Sequence, residues 1–223
     1  MRNPQCWTRP LVASLCWIAV FAIACQTSYQ PRSLDPPTPS DSILKPFAAN
    51  ASPQLKQVVE SAIEQTKVTT GYDPAYVGID YPGGDVPLET GVCSDVVVRA
   101  FRKAGVDLQK EVHEDMVRAW PAYPRKWGAS GPDPNIDQRR VLNLTTYFAR
   151  QGKALPVTTN RDDYLPGDIV AWELSAGIDH IGIVVNQWSD KGKSYLIVHN
   201  IGVGARSEDV LLNWKITGHY RYF

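Results

Sequence analysis

The sequence predicts an α+β domain in which helices come first and an antiparallel sheet follows. Apolar residues recur at helical spacing through the first half of the chain, whereas the second half has short β-rich runs separated by turn residues. Helical segments followed by a series of strands are typical of the α+β class. A chain of 223 residues, 43% of them hydrophobic, is long enough to bury a substantial core.

The N-terminal end has the composition of a secretory signal. Basic residues precede an apolar stretch over residues 11–24, which is shorter than the roughly 20 residues of a membrane span. Ala22 and Ala24 lie just before Cys25, where a bacterial lipoprotein would be cleaved and lipidated. We expect residues 1–24 to be a signal peptide and the protein to be a membrane-tethered lipoprotein of the periplasm or cell envelope. Plain secretion and an uncleaved anchor are the alternatives.

The cysteines point to one thiol of interest. Two of the four lie within the signal, and a third, Cys25, is the expected lipidation site. Residues 25–50, rich in Pro, Ser and Thr, are expected to form a flexible tether. Cys93 is then alone in a domain over residues 51–223. A single thiol in an oxidising compartment is either an inert buried side chain or a reactive group.

The composition narrows the classes of partner. Lys and Arg together number 23, as do Asp and Glu, so the formal net charge is zero with neutral histidines. Proteins that hold nucleic acids usually carry an excess of positive charge. We therefore expect no nucleic-acid partner, and no cofactor is expected.

Apolar spacing predicts four helices, over residues 53–67, 92–104, 110–120 and 139–150. The second begins after Thr90, a residue suited to an N-cap, and is stopped by Gly105. Cys93 then lies in its first turn, where free backbone N–H groups and the helix dipole favour a thiolate. This position makes Cys93 a candidate nucleophile.

Four β-rich runs follow, over residues 168–174, 180–185, 195–200 and 218–223. The second and third flank the turn-like residues 189–192 and form a predicted hairpin. In an antiparallel hairpin, the start of one strand lies beside the end of the other. His180 is thus expected beside His199 or Asn200, at an end of the sheet that the Cys93 helix can reach.

Cysteine hydrolysis needs a nucleophile, a base, a polar group that orients the base, and donors for the developing oxyanion. Cys93, His180 and His199 match the first three roles, with Asn200 as the alternative to His199. The backbone N–H of Cys93, at a helix start, is the expected oxyanion donor. The same three side chains are also zinc ligands by type, but the chain lacks a closely spaced ligand pair, which disfavours a metal site.

Several segments resemble the NlpC-type cell-wall peptidases, in an order and spacing that agree over residues 81–199. They are Cys93-Ser94 and Phe101-Arg102-Lys103-Ala104-Gly105 of the cysteine helix, Leu165-Pro166-Gly167-Asp168-Ile169-Val170, His180-Ile181-Gly182-Ile183-Val184, and Ile197-Val198-His199. The resemblance implies a papain-like fold with N-terminal helices packed on an antiparallel sheet. It also implies that Cys93 forms an acyl-enzyme while cleaving an amide bond in peptidoglycan stem peptides.

The same resemblance implies that Tyr81, followed by a Gly-Gly pair, lines the site and assists substrate or oxyanion binding. The sequence departs from the NlpC pattern at Val92, where those enzymes usually have Asp, and at Asp95, where they usually have Gly. A further resemblance, to a bacterial family classified only as a domain of unknown function, covers residues 81–86, 91–95, 113–116, 133–141 and 199–202.

A compact charged group offers contacts for a substrate. Arg139 and Arg140 can each grip a peptide carboxylate through two N–H groups, and an ion pair with Asp137 is an equal alternative. Asp95 and Asn200 complete the candidate substrate or oxyanion residues. The aromatic residues of the neighbouring Pro- and Gly-rich loop either line a groove or form a small local core, with the core favoured; they are Trp120, Tyr123 and Trp127.

These observations predict an exported cysteine hydrolase that cleaves an amide bond in peptidoglycan stem peptides. Export and the tether support this substrate independently of the resemblance, since they bring the protein to the cell wall. A thiol acyltransferase using the same residues and a non-catalytic, envelope-binding lipoprotein are the alternatives.

Overall fold

The computed structural model of the chain describes residues 42–223. The predicted signal peptide, the lipidation site at Cys25 and most of the predicted tether lie outside these residues, and each stays a prediction. Within the described range, no helix is both long enough and apolar enough to cross a membrane.

The helices precede the sheet along the chain, apart from one short N-terminal strand. The helices of the described part are α1 (Pro53–Val68), α2 (Cys93–Lys103), α3 (Leu108–Ala119) and α4 (Val141–Arg150). Its strands are β1 (Ser42–Leu44), β2 (Ile169–Glu173), β3 (Asp179–Ser189), β4 (Ser194–Asn200), β5 (Ala205–Glu208) and β6 (Lys215–Tyr220). This order confirms the predicted α+β class.

The strands form one antiparallel sheet in the order β5-β4-β3-β2-β6, with β1 paired to the far end of β3. Strands β3 and β4 form the predicted hairpin, in which Ile183 lies opposite Val198. Sequence patterning missed β5 because it is short and mostly polar. The predicted tether is wrong at its C-terminal end, where Ser42–Leu44 form β1 because they pair with β3. Strand β6 also begins earlier than predicted, at Lys215 rather than at residue 218.

Both faces of the central strands are buried. On one face, Ile181, Ile183 and Val185 of β3 share a core with the four helices. On the other face, Val184 and its neighbour Ile197 belong to a second cluster, which the segment between β5 and β6 covers. Burial on both faces explains why β3 reads as a nearly continuous apolar run without alternation.

Helix α2 is capped by a side chain from its own first turn. The prediction of Thr90 as N-cap is wrong, because its hydroxyl bonds the Pro87 carbonyl oxygen within the preceding turn. The N-cap is Val92, whose N–H donates to Asp95 Oδ2 at 2.7 Å. The carboxylate therefore satisfies a free donor and carries its negative charge where the helix dipole favours it.

Asp95 is also half of a buried ion pair. Arg139 Nε lies 3.0 Å from Asp95 Oδ1, and both side chains are at most 4% exposed. The same guanidinium donates to the carbonyl oxygens of Asp73 and Ala75, at 3.0 and 2.8 Å. The charged group thus contains an ion pair, with Asp95 as the partner rather than Asp137, which bonds a histidine of α3 instead.

Replacing Arg139 by Met is expected to lower the free energy of unfolding by about 3–5 kcal/mol, because the Asp95 carboxylate stays buried without its cation. Chemical denaturation of the variant and the wild-type chain measures the difference. Arg161→Met, on an exposed 3₁₀ turn, is the matched control, with an expected change below about 0.5 kcal/mol. An equally small loss in the Arg139 variant would contradict the stabilising role of the pair.

Candidate active site

Cys93 is the first residue of helix α2, and the start of β3 passes beside its thiol. The side chain is 7% exposed. The backbone N–H groups of Cys93, Ser94 and Ile181 surround the sulfur and act to lower the pKa of the thiol. A cysteine at the N-terminus of a helix that packs against the histidine-bearing strand is the papain-like arrangement, so the predicted papain-like fold is confirmed.

Two imidazoles meet at the same end of the sheet. His180 Nε2 lies 2.9 Å from His199 Nδ1, and the ring centroids are 5.0 Å apart in an edge-to-face arrangement. His180 is near the start of β3 and His199 near the end of β4. Of the two candidates for the third residue, the structure therefore brings His199, and not Asn200, against the His180 ring.

Gly182 makes room for this contact. A Cβ atom at this position would lie 2.7 Å from Ile197 Cγ2 and 3.1 Å from His199 Cβ. Both distances are shorter than ordinary van der Waals contacts, so a side chain here would displace β4 or its histidine. The glycine of the segment His180-Ile181-Gly182 is thus required by the close approach of the neighbouring strand.

Glu208 extends the pair to a third strand. Its Oε2 atom lies 3.0 Å from His199 Nε2, a distance suited to an ion pair, although the N–H is not aligned for a hydrogen bond. The contact with His199 lowers the pKa of the Glu208 carboxyl. Sequence reasoning missed this residue because β5 itself was not predicted, and an acid on a short polar strand carries no other signal.

Two tryptophans enclose the imidazoles. The rings of Trp172 and Trp214 each have centroids 5.9 Å from that of His180, and Trp214 also lies 6.1 Å from His199. The indole of Trp172 is held by a hydrogen bond to the Leu211 carbonyl oxygen at 2.9 Å. The pair is therefore shielded from water, which strengthens the electrostatic interactions within it.

Burial keeps both reacting groups neutral at rest. It raises the pKa of the Cys93 thiol to about 12, outweighing the three backbone N–H groups that favour the thiolate. Burial, followed by the nearby His199, lowers the pKa of His180 to about 3. At neutral pH the site thus holds a thiol and an uncharged imidazole that is able to accept a proton.

Between residues 42 and 223, no hydrogen bond joins the Cys93 thiol to the His180 ring; the contact of the thiol with β3 is through the backbone of the next residue, Ile181. The backbone N–H of Ile181 favours the thiolate of Cys93, while His180 uses Nε2 for His199. The Nδ1 atom of His180 is then the nitrogen left to act as a base. Catalytic hydrogen bonds often tighten only when substrate binds. Proton transfer from the Cys93 thiol to His180 therefore requires these two side chains to come within hydrogen-bond distance of each other.

Cys93 opens into a cavity of about 320 Å³, which Tyr72 and Arg140 also line. Tyr81 does not line this cavity, contrary to what the resemblance implied: its ring packs edge-on against His113, with centroids 5.3 Å apart. The loop before α2 explains the difference, because the Asp73 N–H bonds the Gly91 carbonyl oxygen and holds Tyr72 beside the helix start. Burial, and then Cys93, raise the pKa of Tyr72, so its hydroxyl stays a donor.

Of the remaining candidate site residues, Asn200 and Asp95 stabilise the structure around the site, whereas Arg139 and Arg140 line the cavity. Asn200 donates to the carbonyl oxygens of Gly71 and Gly91, both at 3.0 Å, and so ties the end of β4 to the loop before α2. Asp95 is committed to the helix cap and to Arg139, as described above. Arg139 and Arg140 both line the cavity, but only the first has a carboxylate partner among the described residues.

The aromatic loop between α3 and α4 only partly forms the local core that was favoured. Tyr123 is buried and donates its hydroxyl to Asp115 Oδ2 at 2.6 Å. Trp127, by contrast, is 48% exposed and lines the Cys93 cavity. Charged and polar residues surround this part of the loop. The indole of Trp127 therefore lines the cavity and does not belong to the hydrophobic core.

In the part of the chain that is described, no group of three His, Cys, Asp or Glu side chains is arranged to hold a metal ion.

Comparisons with known proteins give one family and one curated relative. The family model described as "Domain of unknown function (DUF1287)" matches residues 59–222. "Uncharacterized protein YijF" of Escherichia coli (strain K12) is 54% identical over 166 residues, which cover 74% of this chain and 80% of the relative.

Solved structures give more distant likenesses. NlpC1 from Trichomonas vaginalis is 12% identical, with a TM-score of 0.41 over 78% of this chain and 46% of that one, so the chain spans about half its length. An N-acetylmuramoyl-L-alanine amidase from Bacteroides uniformis is 14% identical, with a TM-score of 0.44 over 76% of this chain and 98% of that one. Likenesses of this size assign no activity.

Alkylation of Cys93 is expected to speed up about tenfold per pH unit from pH 6 to pH 9, without a plateau. The raised pKa keeps the group a thiol across this range, whereas a free cysteine levels off above about 8.5. Iodoacetamide labelling followed by peptide mapping measures the rate at Cys93 alone. A plateau below pH 7 would instead reveal a thiolate–imidazolium pair already formed at rest.

Proposed function

Because the chain belongs to the DUF1287 family, whose activity its description leaves open, we propose a function from the site itself. The protein is a cysteine hydrolase that cleaves an amide bond in peptidoglycan stem peptides. One observation carries this proposal: His180, His199 and Glu208, from three adjacent strands, contact one another in a row, and the backbone of Ile181, next to His180, lies at the Cys93 thiol.

The first half of the reaction forms an acyl-enzyme. His180 Nδ1 takes the proton of the Cys93 thiol as Sγ attacks the carbonyl carbon of the scissile amide. The backbone N–H groups at the start of α2 face the developing oxyanion. Collapse of the tetrahedral intermediate breaks the C–N bond, and His180 returns the proton to the leaving amine, which leaves a thioester on Cys93.

The second half restores the enzyme. A water molecule gives a proton to His180 as its oxygen attacks the thioester carbonyl. The C–S bond then breaks, the carboxylic acid product departs, and the proton on His180 returns to the Cys93 sulfur. The balance needs only water, so no cofactor enters the scheme.

His199 and Glu208 set the tautomer of His180 and stabilise its protonated form. If the Nε2–H of His180 donates to His199 Nδ1, the Nδ1 atom of His180 carries no proton and is free to act as the base. The remaining N–H of His199 is then on Nε2, the atom that lies 3.0 Å from the Glu208 carboxylate. When His180 becomes an imidazolium, the carboxylate stabilises the positive charge through the intervening ring, as the acid of a catalytic triad does.

The substrate class is supported by the predicted destination of the chain. A signal peptide and a lipid tether bring the domain to the face of the membrane where peptidoglycan lies. The cavity beside Cys93 is lined by apolar and charged side chains together, Arg139 and Arg140 among them, which suits a peptide more than a lipid chain.

Digestion of purified peptidoglycan by the chain lacking residues 1–25 tests the proposal. New muropeptides are expected by mass spectrometry, and their structures identify the bond. Cys93→Ala is the control, with an expected loss of at least about 10³-fold in rate. Unchanged peptidoglycan after prolonged digestion, or equal products from the Cys93 variant, would contradict the proposal, and peptides newly joined to one another would indicate acyl transfer instead.

Glu208→Gln is expected to lower kcat by roughly 10–100-fold with little change in KM, because it removes only the charge behind His199. The same variant should move the acid limb of the pH–rate profile, since the imidazolium loses its counterion. Glu173→Gln, which removes an acid paired with Lys215 on the other side of β3, is the matched control. A rise in KM alone would assign Glu208 to substrate binding.

A further inference from the structure

Arg140 stands where two cavities meet. The Cys93 cavity adjoins a second cavity of about 520 Å³, and both are lined by Trp127, Arg140 and Ile136. A group held at Arg140 therefore lies within reach of a substrate that extends from the thiol into the second cavity.

Arg140 is also the cation of this wall that has no acid beside it. Arg139 is paired with Asp95, and Lys126 Nζ lies 2.7 Å from Asp179 Oδ2. Arg140 makes no ion pair with any acidic side chain between residues 42 and 223. A guanidinium remains charged at neutral pH, so the wall carries one uncompensated positive charge.

The acids of the second cavity are bound elsewhere. Asp133 accepts the Tyr76 hydroxyl at 2.9 Å, and Asp137 Oδ2 lies 2.9 Å from His113 Nδ1. Neither carboxylate forms an ion pair with Arg140. The guanidinium therefore keeps its N–H groups available for an anion that the described chain does not itself supply.

Trp127 holds the guanidinium in a defined orientation. The Arg140 Cζ atom lies 4.5 Å from the centroid of the indole, a cation–π contact. No acceptor between residues 42 and 223 bonds the guanidinium N–H groups, so they are available for a two-point contact with a carboxylate. Trp127 has a φ of 65°, a left-handed conformation that is uncommon for such a bulky residue, and it presents the indole to Arg140.

The start of helix α4 adds to the positive field. Arg140 is its N-cap, and the first turn has neither an acidic residue nor a side-chain cap. The positive end of the helix dipole thus lies next to the guanidinium, and Val141 lines the Cys93 cavity.

We propose that Arg140, in contact with Trp127, binds a free carboxylate of the peptide whose amide bond Cys93 attacks. This rests on the proposed function, and it defines the substrate as a peptide with a carboxylate close to the scissile bond. Peptides in which that carboxylate is converted to an amide are poor substrates, because the amide offers one acceptor and no charge to the guanidinium.

Binding to the inactive full chain carrying Cys93→Ala tests the proposal without any turnover. The probes are the tripeptide Ala-γ-Glu-Lys with a free α-carboxylate on Glu and its α-amide counterpart, compared by calorimetry. The acid is expected to bind about 10–100-fold more tightly than the amide. Adding Arg140→Gln should abolish this preference, whereas adding Arg161→Gln, which removes the same charge from an exposed turn, should preserve it.

Equal affinity for acid and amide, no binding of either, or a preference that survives Arg140→Gln would each overturn the carboxylate site. Its failure is separate from that of the proposed function. If the protein digests peptidoglycan but shows no preference for the tripeptide acid over its amide, only the role of Arg140 is contradicted. If the preference depends on Arg140 but the protein does not digest peptidoglycan, the carboxylate site is supported and the hydrolase function is contradicted.

Discussion

The buried ion pair between Asp95 and Arg139 determines where the parts of the site lie. Its carboxylate caps α2 and so defines the turn that carries Cys93. Its guanidinium holds the backbone of Asp73 and Ala75, which brings Tyr72 to the cavity. A buried charge destabilises a protein unless its hydrogen bonds are satisfied, and the hydrogen bonds of both Asp95 and Arg139 are satisfied here. The departure from the NlpC pattern at Asp95 is thus explained by structure rather than by substrate.

The sheet supplies the second constraint. Neighbouring strands lie about 4.8 Å apart, and one side chain from each of β3, β4 and β5 builds a row across them. Because β-strand geometry sets the spacing, the contacts of His180, His199 and Glu208 require little adjustment by loops. The missing side chain at Gly182 is the local condition that lets two imidazoles fit into that row.

The sequence was informative where local pattern decides structure. Helix periodicity placed Cys93 in a first turn, and a single hairpin turn was enough to bring His180 and His199 to one end of the sheet. It was uninformative where contacts between distant segments decide. The partner of Arg139 lies 44 residues away, and the choice of Tyr72 over Tyr81 depends on which loop is bonded to the helix start. Glu208 stands on a strand too short and polar to have a pattern.

Because β5 lies at the edge of the sheet, Glu208 is held by a less stable strand than His180 and His199 are. It is a four-residue strand at the edge of the sheet, where β4 is its one neighbouring strand, whereas β3 and β4 are interior. Edge strands open more often than interior ones, and such opening exposes amides to hydrogen exchange without unfolding the core. Fraying of β5 would disconnect the carboxylate while the thiol and both imidazoles stay in place. The outermost group of the site is therefore governed by a local equilibrium of its own, independent of the global stability of the domain.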